Sequence, residues 1–101
     1  MEKNYTYEIA PSGERDLLAI LDYISDTLLN PDAASNLAID FDKSFENATI
    51  FPMAHPMCEF NPEYRKLFVG NYVALFRIDE DARILFFTRV FYSPSDYGKN
   101  L

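Results

Sequence analysis

Arg65, Lys66, Arg77 and Arg89 are cations set into an aromatic and β-branched background between positions 64 and 92. Side chains of this kind hold the phosphates or carboxylates of a partner. Strand alternation puts Arg65 on one face with Leu67 and Val69, and Lys66 on the other with Tyr64 and Phe68. An arginine flanked by apolar neighbours needs a partner, so Arg65 reads first as half of an ion pair with a helix acid or with Glu8. Lys66 reads as exposed. Arg77 and Arg89 fall on neighbouring strands, where they can form a positive strip for binding a target or equally discourage edge-to-edge aggregation. Tyr72 reads as core. His55 is the only histidine, sits between Ala54 and Pro56, and has no nearby acid or cysteine pair. It reads as structural rather than as a ligand or base. Cys58 has no sequence-near histidine as a catalytic partner and reads as a small buried apolar residue or an inert loop thiol.

The elements that carry these cations are short. Tyr64–Val69, Tyr72–Ile78 and Ile84–Tyr92 are strand-length runs. They are joined by Gly70-Asn71 and by the acidic turn Asp79-Glu80-Asp81-Ala82. Turns this short permit only antiparallel neighbours. Upstream, Tyr5, Tyr7 and Ile9 alternate with Thr6 and Glu8, which predicts a first strand ending at Pro11. Strand one is expected to add to an edge of the sheet or to run through its middle beside a later strand. Ser12 reads as an N-cap, with Glu14 and Asp16 at the positive end of a helix. Leu17, Ile20, Leu21, Ile24 and Leu28 recur at helical spacing, widened by Leu18 and Leu29. So broad an apolar face predicts two contacts, the sheet and either a second helix or a partner.

Asn30-Pro31-Asp32 marks a new helix start, with Asn30 as cap and Pro31 in the first turn. Ala34, Leu37, Phe41, Phe45 and Ala48 share a face of this second helix, which ends before Phe51-Pro52. The short join makes the two helices an antiparallel hairpin. Residues 52–63, with three prolines, read as an ordered loop, and residues 93–101 as a turn-rich tail. The fold class is therefore α+β, in the order β-α-α-β-β-β. A helical hairpin packs on an antiparallel sheet of about four strands, and residues 1–101 form one domain. Apolar residues on both faces of the central strands predict an open face that meets a partner.

The chain of 101 residues carries a net charge of −7, which repels nucleic acid taken as a whole. Residues 12–51 hold eight acids against Arg15 and Lys43, a net of −6, while residues 64–101 carry a net of +2. One cysteine rules out an internal disulfide and fits a reducing cytosol. No apolar run approaches the roughly 20 residues of a membrane span, and the first residues lack the pattern of a signal peptide.

The tyrosine-rich first strand, the hairpin with Asn30-Pro31 at its tip, the close at Phe51-Pro52, Tyr64–Tyr72 and the final Arg89-Val90-Phe91-Tyr92 with Asp96-Tyr97 behind resemble the RelE/ParE superfamily of type II toxins. The resemblance implies a cytoplasmic, growth-inhibiting plasmid-stabilisation toxin with no metal or organic cofactor. It implies a cognate antitoxin as partner, with which oligomers can form. It also implies one of two targets, DNA gyrase in the ParE-like branch or messenger RNA on the ribosome in the RelE-like branch. A metal-free ribonuclease needs a base, a proton donor and cations around the scissile phosphate. Carried over residue by residue, Lys66 matches a basic position and Tyr97 the C-terminal aromatic. Val73 and Ser93 stand where the RelE-like pattern has arginines. Each such loss typically costs on the order of a hundredfold in rate. The acidic chain and the missing arginines favour the ParE-like branch, with Arg65, Arg77 and Arg89 as target-binding residues. A toxin fold that keeps only partner binding is the third reading.

Overall fold

A computed structural model describes residues 5–94. It contains β1 (Thr6–Ile9), α1 (Pro11–Asp22), a π-helical turn (Tyr23–Thr27), α2 (Pro31–Ala48), a 3-10 turn (Pro52–Ala54), β2 (Tyr64–Val69), β3 (Tyr72–Asp79) and β4 (Ile84–Tyr92). The element order is the expected one. The sheet order is β1-β4-β3-β2. β2–β3 and β3–β4 pair antiparallel, whereas β1 runs parallel to β4, from Thr6↔Ile84 to Ile9↔Phe87. The sheet is thus mixed, with its one parallel pair at an edge. The reason is topological: β1 and β4 are separated by the helical hairpin, the proline-rich loop and the β2–β3 pair, a connection long enough for parallel pairing.

Local chemistry explains the element ends. Pro11 occupies the first turn of α1, where a missing N–H costs nothing, and Ala10 is the cap without a side-chain bond. Ser12, expected as the cap, instead donates its hydroxyl to Thr88 O at 2.6 Å. Asn30 does cap α2, its Oδ1 accepting from Ala33 N at 3.1 Å. Between the helices Leu29 adopts φ 54°, which lets the chain reverse and Asn30 N–H reach back to Ile24 O. Gly70 at φ 59° makes the β2–β3 turn, and Asp79 Oδ1 accepts from Ala82 N in the turn before β4.

The helices cover one sheet face. Phe41 and Phe45 of α2 meet Leu67, Val69, Ala74, Phe76, Leu85, Phe87 and Val90 in the core. Phe45 lies 4.2 Å from Phe87 between ring centroids, and Phe76 5.1 Å from Phe87. Phe45 is fully buried, so truncating it to alanine costs roughly 3–5 kcal/mol. That is a large share of the roughly 5–15 kcal/mol that holds a small domain folded. Tyr72 packs on Phe41 as a half-buried member of this core.

α1 is packed differently. Only Gly13 among its residues is buried. It sits against β4 where β1 has ended. Ala10 N–H donates to Phe87 O at 2.9 Å, Ser12 to Thr88 O, and Val90 N–H to Asp16 Oδ2 at 3.0 Å. A bulge at this point, where Phe76↔Phe87 is followed by Leu75↔Arg89, leaves Thr88 as the extra residue. A Cβ on Gly13 would stand 2.6 Å from Phe87 O, so only glycine lets the helix start this close to the strand.

Candidate functional site

The cations singled out from the sequence all lie on β2–β4, but most are already engaged. Arg65 points to the core side with Leu67 and Val69, as alternation requires. Its partners are two carbonyls in place of the expected carboxylate: Nη1 donates to His55 O at 2.6 Å and to Met53 O at 3.3 Å. With the Met57↔Arg65 bridge, Cys58 N to Tyr64 O, and Lys66 N to Pro56 O, it fastens the proline-rich loop along the outer edge of β2. Lys66, expected to be exposed, is largely covered. Its Nζ sits 3.0 Å from both carboxylate oxygens of Glu59 and 5.7 Å from the Phe68 ring. The ammonium holds the Glu59 carboxyl below its ordinary pKa.

Arg77 and Arg89 lie on the adjacent strands β3 and β4, but each is engaged separately. The Arg77 guanidinium lies 4.6 Å over the Phe86 ring. Arg89 Nε is 2.7 Å from Asp16 Oδ2, and that carboxylate also accepts the Val90 N–H. The Arg89 hydrogen bond is the main cause of a lowered Asp16 pKa, opposed by burial and helped by the Val90 N–H. Tyr97 lies outside the described residues. His55 stands edge-on to Phe76 at 5.8 Å, and burial, then Arg65, lowers its pKa. Cys58 is buried. Among the described residues no cluster of three His, Cys, Asp or Glu side chains is placed to hold a metal ion, and no helix is long and apolar enough to cross a membrane.

Two hollows remain. One, of about 610 Å³, opens on the uncovered sheet face between Lys66, Val73, Leu75 and Phe91 and the loop residues Cys58, Glu59 and Phe60. Phe60 is 94% exposed at its rim, and Phe68 and Phe91 are also exposed. This is the apolar open face expected from the strands. The other, of about 590 Å³, runs between Ala19, Ile20, Tyr23, Ile24 and Leu28 and the paired rings of Tyr72 and Tyr92, which meet at 5.5 Å. Burial, then Tyr92, raises the Tyr72 pKa, so this phenol stays neutral and is no base at neutral pH. Sequence reasoning pointed to this second hollow only through the breadth of the apolar face on the first helix. It missed the role of Asp16, whose signal as an acid in a first helical turn reads as a dipole contact, and of Gly13.

The architecture has solved counterparts. The chain is similar to a structure of the chromosomal ParDE toxin–antitoxin system from P. aeruginosa, with a TM-score of 0.75 and 17% identity over 88% of this chain and 96% of that one. It is also similar to a structure of the toxin–antitoxin complex RelBE2 from Mycobacterium tuberculosis, with a TM-score of 0.61 and 20% identity over 87% of this chain and 96% of that one. At these identities the likeness is one of fold. No curated protein matches the chain significantly. The profile of the family described as the ParE toxin of the type II toxin–antitoxin system parDE matches residues 7–97, nearly the whole chain, which therefore belongs to the ParE toxin family.

Proposed function

We propose that the protein is the growth-inhibiting toxin of a type II pair, acting in the cytoplasm by binding a protein target, DNA gyrase, and neutralised by a cognate antitoxin. The observation that carries this reading is the engagement of its cations. A ribonuclease of the RelE-like kind needs positive charge free to surround a phosphate. Here Lys66 closes on Glu59, Arg89 on Asp16, and Arg65 on two loop carbonyls. Val73, where the RelE-like pattern has an arginine, is a buried valine. What the open face offers instead is Phe60, Phe68, Phe91 and the stacked Arg77, a mixture of aromatics and arginine typical of protein–protein contacts. Of the three arginines expected to bind the target, Arg77 keeps that role, while Arg65 and Arg89 hold the fold. The net charge of −7 favours a protein target over a nucleic acid.

A supercoiling assay with purified protein tests the proposal. Inhibition at micromolar protein is expected, weakened by Phe60→Ala together with Arg77→Ala and unchanged by Lys66→Ala. No inhibition, with A-site cuts on translated messages that Lys66→Ala abolishes, would show the nuclease branch instead.

A further inference from the structure

We propose that Glu59 is the residue that makes the open sheet face reject nucleic acid: its carboxylate occupies the position on Lys66 that a phosphate would take. The inference deepens the protein-target reading above and rests on it, because it assigns that preference to one side chain. The hollow of about 610 Å³ on this face has walls on which unstacked bases could lie. Phe60 is 94% exposed at its rim, Phe91 is also exposed, and Val73 and Leu75 form an apolar floor. Lys66 is the one cation and Glu59 the one acid among its described lining residues. Aromatic platforms beside a lysine hold a single strand only where that lysine is available to the backbone phosphates. Here Lys66 Nζ donates to both Glu59 oxygens at 3.0 Å, so its charge is cancelled at short range. Arg77, stacked on Phe86, and Arg89, paired with Asp16, lie outside this lining.

The loop sets the pair in advance. Residue 59 lies between two pinned flanks. On one side, Lys66 N–H donates to Pro56 O at 2.8 Å and Cys58 N–H to Tyr64 O at 2.7 Å. On the other, Tyr64 N–H donates to Asn61 O at 2.9 Å, and Asn61 Oδ1 accepts from Glu63 N–H at 3.1 Å. The carboxylate is thus held beside the ammonium at a high effective concentration, which a free phosphate must outcompete. The two side chains are unequally exposed, Lys66 at 20% and Glu59 at 72%. The ammonium is the covered partner and the carboxylate faces solvent, so an approaching polyanion meets negative charge first. An exposed pair of this kind adds little to stability, so its removal changes what the face binds and leaves the fold in place.

The test is fluorescence anisotropy of a labelled single-stranded RNA of about 12 nucleotides with the full-length protein at low salt. Glu59→Gln should tighten binding about tenfold or more over the parent, because a cation is released and a repulsion removed together. Glu59→Ala, which takes away the remaining acceptor as well, should gain at least as much. The slope of log affinity against log salt should steepen by about 0.7, the mark of one added phosphate contact. Glu59→Gln with Lys66→Ala should return to the parent affinity. Asp40→Asn, an exposed position on α2, makes the same change in net charge and should gain little. Circular dichroism melts of each variant check that the fold is kept. Failure of both Glu59 variants to exceed the parent overturns the proposal, as does a gain that survives Lys66→Ala or is matched by Asp40→Asn. Tight RNA binding by the parent overturns it too. Supercoiling inhibition is read on the same preparations. A missing RNA gain with inhibition intact overturns this inference alone, and an RNA gain without inhibition refutes the gyrase reading and leaves the role of Glu59 standing.

Discussion

Asp16→Ala separates two contributions that meet at one carboxylate. Asp16 Oδ2 accepts the partly buried Val90 N–H at 3.0 Å and the Arg89 Nε–H at 2.7 Å. The Arg89 side chain is 58% exposed, so the ion pair is screened by solvent and contributes little. The Val90 amide lies where β1 has ended and has no second acceptor in the sheet. Stranding a donor of this kind costs about 1–3 kcal/mol. Asp16→Ala should therefore destabilise by about 2 kcal/mol, lowering Tm by about 10 °C in a domain of this size. Arg89→Ala, which leaves the Val90 bond intact, should cost clearly less than Asp16→Ala. Asp16→Asn keeps an acceptor and should fall between them. Urea unfolding followed by far-UV circular dichroism measures all three, with unchanged m-values as the control. The Asp16 carboxyl has its pKa lowered from 3.8. Its contribution is thus fully present above about pH 4 and is lost as pH falls through the lower folded value. The gap between the parent protein and Asp16→Ala should hold steady down to about pH 4 and narrow below it. An Arg89→Ala cost equal to or larger than that of Asp16→Ala would refute the assignment of the greater share to the backbone amide.

Three further outcomes follow from single residues. Gly13→Ala should destabilise by about 2 kcal/mol or more in thermal melts, against the usual gain of about 1 kcal/mol for this change in a helix, because the new Cβ meets Phe87 O at 2.6 Å; a higher Tm would contradict the close approach. Leu29→Gly should stabilise by about 1 kcal/mol, since Leu29 adopts φ 54° and is 80% exposed, so that strain is relieved with little burial lost; a loss of stability would show that Leu29 packs on something. Burial and Arg65 lower the His55 pKa from 6.5, so unfolding stability should decline as pH drops below about 6.5 toward the folded value, and His55→Asn should flatten that slope in denaturant titrations run between pH 7.5 and 5.

The parts legible in the sequence were those governed by short-range rules. The 2.0-residue alternation of Tyr64–Val69 put Arg65 inward and Lys66 outward, and both lie so. Asn30-Pro31 announced α2, because a side-chain acceptor and a fixed φ act on their own helix start. Ser12 misled for the same reason in reverse. Its hydroxyl has a local use as a cap, but Thr88 O, 76 positions away, is where it bonds. Arg65 likewise called for an acceptor, and its composition-based partner was a carboxylate; two loop carbonyls proved nearer.

Periodicity, turn residues and charge counts by themselves determined that this chain forms a helical hairpin on a sheet, with an acidic half and an aromatic, cationic half. These features depend on neighbours within a few positions, where spacing is a reliable guide. Tertiary structure alone decided which cations are consumed and that Gly13 and Asp16 carry β4 past the end of β1. The contacts of Ser12 and Asp16 with β4 join residues 73 to 76 positions apart, whereas Arg65 and Lys66 are consumed by loop groups 7 to 12 positions away, and neither the parallel edge pairing nor the folded-back loop is encoded in a local periodicity.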